Sequence, residues 1–146
     1  MDMKYQDILD NQAGINLMIT GLNTKEGESK ITDIDDSLYI ADFVEEVNRI
    51  LKGVTEIRRG INAKYSDQIK KTAEMPDGAL KDVLIDGILN KRDTEINNEM
   101  EKKMDFRVEI RPVFSKEDLK KYKLSTMALV ACKKLGLIKK EEADKK

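Results

Sequence analysis

The sequence predicts a mainly α-helical protein, built on a long antiparallel helical hairpin with a short helix at each end and one or two short β-strands. Apolar residues recur at three- and four-residue spacing from Asp36 to about Lys71, the pattern of one amphipathic helix on the order of 50 Å long. The next segment, 74–78, contains Pro76, which cannot continue a helix, and an Asp-Gly turn. A second helical stripe follows, so the two long helices are expected to lie side by side in opposite directions.

The composition favours one soluble, cytoplasmic domain. With 146 residues, the chain is expected to form a single helical domain over residues 1–138, followed by a mobile charged tail at 139–146. It has 27 basic and 28 acidic residues, so no overall positive field attracts nucleic acid. Neither a signal pattern nor an apolar run long enough for a membrane span is present.

Few residue types are available for catalysis. There is no histidine and one cysteine, Cys132, which excludes an internal disulfide and Cys/His zinc sites and removes the commonest general base. Cys132 lies in an apolar helical run and is expected to be a buried packing residue. The sequence also has no Gly-rich phosphate loop and no nucleophile elbow. We therefore expect neither an enzyme nor a cofactor.

The first helix is predicted from Met3 to Leu22. Gly14, in its middle, either packs closely against a partner or marks a bend. A polar loop at 23–29 follows, and then a weak candidate strand at 30–34. The acidic residues at 33, 35 and 36 are interpreted as caps of the long helix, because the remaining ligand spacing of a calcium loop is missing.

The long helix has a polar side that includes the adjacent pairs Glu45-Glu46 and Arg58-Arg59. We interpret the two glutamates as solvated, because neighbouring helical residues do not face each other. Arg58 and Arg59 either form a solvated face paired with nearby acids or bind a carboxylate or phosphate of a partner. These two arginines are therefore candidate interaction residues.

The second long helix is predicted to begin at Ala79. Its polar run at 90–95 allows a break near Asp93, where the helix would restart. Its apolar stripe, continued at a spacing of four, comprises Leu80, Val83, Leu84, Ile88, Ile96, Met100 and Met104.

Residues 106–114 alternate between apolar and charged side chains, which is typical of a half-buried strand. A single strand cannot satisfy its own backbone, so it must pair with 30–34, pair with another chain, or pack extended on the helices. We expect this segment to be the main interaction element, with Phe106, Val108 and Ile110 as its contact residues.

Two short helices close the predicted fold. Ser115 opens a capping box for a helical turn that runs through Tyr122. Ser125 caps the final helix, and Gly136 is placed to end it in the left-handed conformation.

Several short motifs occur along the chain in a defined order. They are Lys4-Tyr5-Gln-Asp-Ile8, Tyr39-Ile-Ala-Asp-Phe43, Glu56-Ile-Arg58, Lys64-Tyr65, Asn97-Asn-Glu-Met-Glu101, Arg107-Val-Glu-Ile110, Asp118-Leu119, Leu124-Ser125 and Met127-Ala-Leu129. In this order, over most of residues 1–138, the chain resembles a family of small, functionally uncharacterised proteins of tailed phages and prophages of Gram-positive bacteria. The resemblance implies a phage origin and supplies no catalytic or binding residues.

Two functions follow as hypotheses from these expectations. The first is a non-enzymatic phage protein that self-associates and serves in virion assembly or as a structural accessory, in the host cytoplasm or associated with the virion. The second is a phage-encoded inhibitor that binds a host or defence protein. A DNA-binding regulator ranks third, because the charge is balanced and no helix-turn-helix spacing is convincing.

Overall fold

Five α-helices account for most of residues 3–140, the part of the chain that the computed structural model describes. The prediction of a mainly helical chain is therefore confirmed. The helices are α1 (Tyr5–Gly21), α2 (Ile34–Ala73), α3 (Ala79–Met100), α4 (Lys116–Tyr122) and α5 (Thr126–Lys134).

The predicted caps fix the ends of these helices. The side chains of Asp33, Ser115 and Ser125 accept hydrogen bonds from backbone N–H groups in the first turns of α2, α4 and α5, which satisfies donors that have no helical partner. Gly136 follows α5 with a φ of 77°, the left-handed conformation predicted for it.

Both long helices are continuous. α2 continues through Gly53 and Gly60 for 40 residues. α3 passes Asp93 without a break and ends at Met100, so the predicted restart there is wrong. A polar run does not by itself end a helix when no proline or left-handed residue interrupts it.

A close crossing of α1 and α5 organises the compact part of the molecule. A Cβ atom placed on Gly14 would lie 2.6 Å from the carbonyl oxygen of Met127 and 2.7 Å from the Cβ of Ala131. Gly14 therefore packs closely against a neighbouring helix, which is one of the two roles predicted for it. Cys132 is buried beside this crossing, as expected.

The first half of α2 completes this compact part. We call it the head, and it comprises α1, residues 34–54 of α2 and residues 101–140. Buried apolar side chains of α2 pack into the same core as those of α1 and α5, so burial of apolar surface holds the three helices together. The largest fully buried side chains of the head are Ile8, Ile15, Met18, Phe43, Val113, Phe114, Cys132, Leu135 and Leu137.

The rest of α2 and α3 are less well buried. We call residues 57–73 of α2 together with α3 the arm. Tyr65 is the buried residue of α2 in the arm, and Met100 is the one in α3. The contact between the helices is partly polar, because Glu95 Oε1 accepts hydrogen bonds from Lys64 Nζ at 2.7 Å and from Tyr65 Oη at 2.5 Å.

The apolar stripe predicted at the start of α3 does not face α2. Leu80 and Val83 are each 66% exposed and Leu84 is 41% exposed. Lys81 and Ile85 are half-buried in place of these three residues, and Ile88 of the predicted stripe is half-buried as expected. The later positions of the stripe behave as expected, with Ile96 and Met104 half-buried and Met100 buried. The first two turns of α3 therefore present large apolar side chains to solvent.

Residues 106–113 are extended but form no β-ladder, so the strand predicted there is absent. Their apolar residues alternate in burial as predicted, and the segment lies along α2, which is the third of the predicted alternatives. Residues 30–34 form no strand either. The described chain has isolated bridges at Lys4–Lys103, Asn23–Ser29 and Phe114–Ile138.

Two sequence predictions concern the ends and the apolar runs of the chain. Lys139 and Lys140 are exposed, and the remainder of the predicted tail, 141–146, lies outside the described residues. Within residues 3–140, none of the helices is both long and apolar enough to cross a membrane.

We expect Gly14→Ala to lower the free energy of unfolding by about 1 to 3 kcal/mol, because the added methyl group meets the backbone of α5. Gly60→Ala is the matched control, since a Cβ there meets nothing within 4 Å and alanine stabilises a helix by up to about 1 kcal/mol over glycine. Urea unfolding followed by circular dichroism measures both. Equal effects of the two substitutions would contradict the close crossing.

Candidate interaction surface

A buried carboxylate fixes the extended segment to α2. Glu46 is 5% exposed, and its oxygens accept two hydrogen bonds from the guanidinium group of Arg49, at 2.5 and 2.9 Å. One of them also accepts the backbone N–H of Arg107. Arg49 in turn donates to the carbonyl oxygen of Asp105 at 2.6 Å. One ion pair within α2 therefore contacts the backbone on both sides of Phe106.

The same contacts determine the ionisation of Glu46. The hydrogen bond from Arg49 is the largest influence and lowers the pKa of the carboxyl group, and the Arg107 N–H lowers it further, while burial acts in the opposite direction. The carboxylate is thus ionised and paired at neutral pH. A buried charge with satisfied partners costs much less than an unpaired one.

Tyr39 provides a second anchor for the extended segment, near its other end. Its hydroxyl group donates to the carbonyl oxygen of Glu109 at 2.7 Å and accepts the N–H of Arg111 at 3.0 Å. The guanidinium group of Arg111 lies 4.5 Å from the centre of the Tyr39 ring, a cation–π contact. Together with Glu46, Tyr39 supplies the hydrogen bonds that a neighbouring strand would otherwise give.

The three apolar residues predicted as contacts lie together on this anchored segment. Phe106, Val108 and Ile110 are half-buried, and with Met3 and Glu109 they line a shallow hollow of about 270 Å³. Phe106 also packs on Phe43 of α2, with ring centres 5.6 Å apart. The hollow therefore has a fixed wall, and its size suits one or two side chains.

Arg58 and Arg59 do not belong to this surface. Both are exposed, and Arg59 pairs with Glu56 at 3.3 Å. They lie about 12 residues beyond Glu46 on the same helix, a distance of roughly 18 Å. The structure therefore separates the two groups of predicted interaction residues.

Sequence reasoning missed the two anchors. The sequence predicts that Glu46 lies on the solvated side of α2, but Glu46 is buried, so this prediction is wrong. Its position carried a signal, because Glu46 follows Phe43 by three residues and precedes Ile50 by four, which places it on the apolar stripe. A charged residue on such a stripe requires a partner.

Other reactive groups have ordinary structural surroundings. Burial raises the pKa of the Cys132 thiol to about 11, so the thiol is protonated at neutral pH and is a poor nucleophile. Within residues 3–140, no three Cys, Asp or Glu side chains are placed to hold a metal ion. The described surface thus has anchored apolar features and no reactive centre that its geometry defines.

Comparisons with family models, with curated proteins and with solved structures found no match to this chain.

We expect the contribution of Glu46 to stability to depend on pH. Because its pKa in the folded protein lies below the ordinary value of 4.5, the contribution is complete above about pH 4.5 and is lost as the pH falls through the lowered pKa. At pH 7, Glu46→Gln should cost about 1.5 to 3 kcal/mol of unfolding free energy. Urea unfolding between pH 7 and pH 3 should show this difference shrinking.

Glu45→Gln is the control for this series, because Glu45 is the exposed neighbour of Glu46. Its unfolding free energy should stay close to that of the wild type throughout. A constant difference between Glu46→Gln and the wild type over the whole pH range would contradict the role of the ionised carboxylate.

We expect Tyr39→Phe to loosen the extended segment without unfolding the head. Loss of the hydroxyl group removes the acceptor of the Arg111 N–H, so amide hydrogen exchange at Arg111 should become faster. Stability should fall by about 1 kcal/mol. Tyr122→Phe is the control, because Tyr122 is a buried tyrosine whose ring packs on Phe114. Unchanged exchange at Arg111 in Tyr39→Phe would refute this anchor.

Proposed function

We propose that the protein acts by protein–protein contact and not by catalysis, that it self-associates, and that it serves in the assembly of a phage particle or as a structural accessory. The observation that carries this proposal is the exposed apolar surface at the start of α3, formed by Leu80, Val83 and Leu84. Large apolar side chains grouped on a solvent-facing surface mark sites of association. The resemblance of the sequence motifs to small phage proteins supports the biological setting.

The proposal includes an antiparallel hairpin of α2 and α3, which would present this surface at a distance from the head. Glu95 of α3 contacts Lys64 and Tyr65 of α2. Asn98 and Glu99, further along α3, line a hollow with Ile57 and Ile61. Later residues of α3 thus meet earlier residues of α2, as antiparallel helices require.

A second function is favoured by a different observation. The hollow beside Phe106, Val108 and Ile110 lies on a segment that two side chains of α2 hold in place. A hollow bordered by apolar side chains and by Glu109, on a segment held in place in this way, suits a side chain of another protein. We infer from it the alternative that the chain is a phage-encoded inhibitor of a host or defence protein.

Light scattering over a range of concentrations tests the proposed function. The wild type should have a mass above the chain mass of 16.7 kDa, and Val83→Glu should lower the mass toward that of one chain, because it places a charge on the exposed apolar surface. Asn90→Glu, a substitution at an exposed polar position of the same helix, is the matched control and should behave like the wild type.

A wild type that stays at 16.7 kDa at the highest concentration would overturn self-association. In that case, recovery of a one-to-one complex with a single host protein, weakened by Val108→Glu, would support the inhibitor function.

A further inference from the structure

An apolar hollow lies between the end of α1, the loop after it and the first turns of α2. Its volume is about 350 Å³, larger than that of the hollow beside Phe106 and within the range of about 300 to 1,000 Å³ that is typical of binding pockets. Four of its lining residues are polar, and Glu45 is the charged one among them. We call it the α1–α2 hollow, and its apolar lining consists of Ile19, Leu22, Ile31, Ile40, Ala41 and Val44.

Two exposed apolar side chains extend this hollow toward the start of α2. Ile34 is 69% exposed and Leu38 is 57% exposed. They share one side of the helix with Ala41 and Glu45, because the spacing of four, three and four residues keeps these positions in line. Since Ala41 and Glu45 line the hollow, the hollow and the two side chains form one apolar strip. The strip is roughly 17 Å long, or about three turns of helix.

Carboxylates border this strip. Asp35 lies three residues before Leu38 and Asp42 lies four residues after it, so both flank Leu38 on the helix surface. Glu45 stands at the hollow itself. All three carboxylates are exposed, and within residues 3–140 none of them has a hydrogen-bond or ion-pair partner. They are therefore available to a cationic group that approaches from outside.

The acidic character persists when the neighbouring residues are included. Residues 19–45, which supply the whole lining of the hollow, contain seven acidic and two basic residues. One of these two, Lys30, donates to a backbone carbonyl group of α4 at 3.1 Å. Glu46 and the two arginines that pair with this part of α2, Arg49 and Arg111, bring the totals to eight acidic and four basic residues. The surroundings of the strip thus attract positive charge.

Apolar surface and negative charge together define what the strip can bind. A partner that has lysines or arginines beside large apolar side chains gains from burial and from opposite charge at the same time. Nucleic acids and anionic lipid surfaces carry the same sign of charge as the border of the strip, so both are disfavoured. Pairing two copies of the strip about a two-fold axis would oppose carboxylate to carboxylate, which is unfavourable as well.

We propose that the α1–α2 hollow and its strip bind a basic amphipathic helix of another protein. Apolar side chains of that helix enter the hollow and cover Leu38, while its basic side chains face Asp35, Asp42 and Glu45. A helix that lies in a groove presents apolar anchors over two to three turns, which matches the length of the strip. The inference goes beyond the proposed self-association, because it concerns α1 and the start of α2 and not α3.

Two synthetic peptides test the chemistry of the partner. Both are amphipathic helices of about four turns with leucine at the same positions, and the remaining positions are lysine in one peptide and glutamate in the other. Fluorescence anisotropy of the labelled peptides measures their binding to the full chain. The lysine peptide should bind one to one, more weakly as salt is added, and the glutamate peptide should not bind. Equal binding of the two peptides would overturn the proposal.

Leu38→Ser tests the location of the site. The variant should fold, because Leu38 is exposed, and the lost apolar contact should weaken binding of the lysine peptide at least about tenfold. Leu80→Ser is the matched control, since Leu80 is an exposed leucine of α3, and it should bind like the wild type. The site lies elsewhere if Leu38→Ser binds as tightly as the wild type, or if Leu80→Ser loses as much affinity.

A double variant, Asp42→Asn with Glu45→Gln, tests the role of charge. It should bind the lysine peptide severalfold more weakly than the wild type and with a smaller dependence on salt. Its control is Asp82→Asn with Asp86→Asn, which removes two exposed carboxylates of α3 and should leave binding unchanged. The same salt dependence in the first double variant as in the wild type would contradict selection by these carboxylates.

Light scattering of Leu38→Ser without peptide tests a second copy as the occupant. The variant should have the same mass as the wild type at every concentration. A lower mass than that of the wild type would mean that another copy of the chain covers the strip, and the proposal of a different partner would be wrong. The self-association proposed above is tested separately by Val83→Glu, so either proposal can fail while the other stands.

Discussion

The carboxylate of Glu46 holds the extended segment against α2. It is a buried charge on an otherwise apolar stripe, so it requires donors, and Arg49 and the backbone of Arg107 provide them. These hydrogen bonds hold the extended segment on α2, immediately after Met104. Phe106 can then pack on Phe43. α2 stays in the core of the head as far as Ile50, and in the arm its residues Lys64 and Tyr65 contact α3.

The head and the arm are stabilised by different forces. In the head, the close approach of α1 and α5 at Gly14 allows a continuous core of fully buried side chains. In the arm, Tyr65 and Met100 are the buried side chains of the two helices, and ion pairs such as Lys64–Glu95 lie at the surface, where they contribute little. The arm should accordingly open locally at a lower free energy than the head.

Sequence periodicity predicted the helices well and their mutual orientation poorly. Caps at Asp33, Ser115 and Ser125 are local features, so they could be read directly. The orientation of α3 could not be predicted from the sequence, because Leu80, Val83 and Leu84 have the spacing of a buried stripe. Only the packing at Glu95 and Met100 shows that another side of α3 faces α2. The contact residues Phe106, Val108 and Ile110 alternate as predicted, whereas the anchors at Tyr39 and Glu46 depend on long-range contacts.

Association and order in the arm are linked for the same reason. Long helices with few buried residues leave much of their folding entropy uncompensated, and the exposed Leu80, Val83 and Leu84 at the start of α3 are unused apolar surface. A partner that covers this patch binds the folded arm and not the unfolded one, so binding stabilises the arm by mass action. Where only a fraction of the molecules have a folded arm, the apparent affinity for such a partner is reduced by that fraction, because part of the binding free energy is used to order the arm.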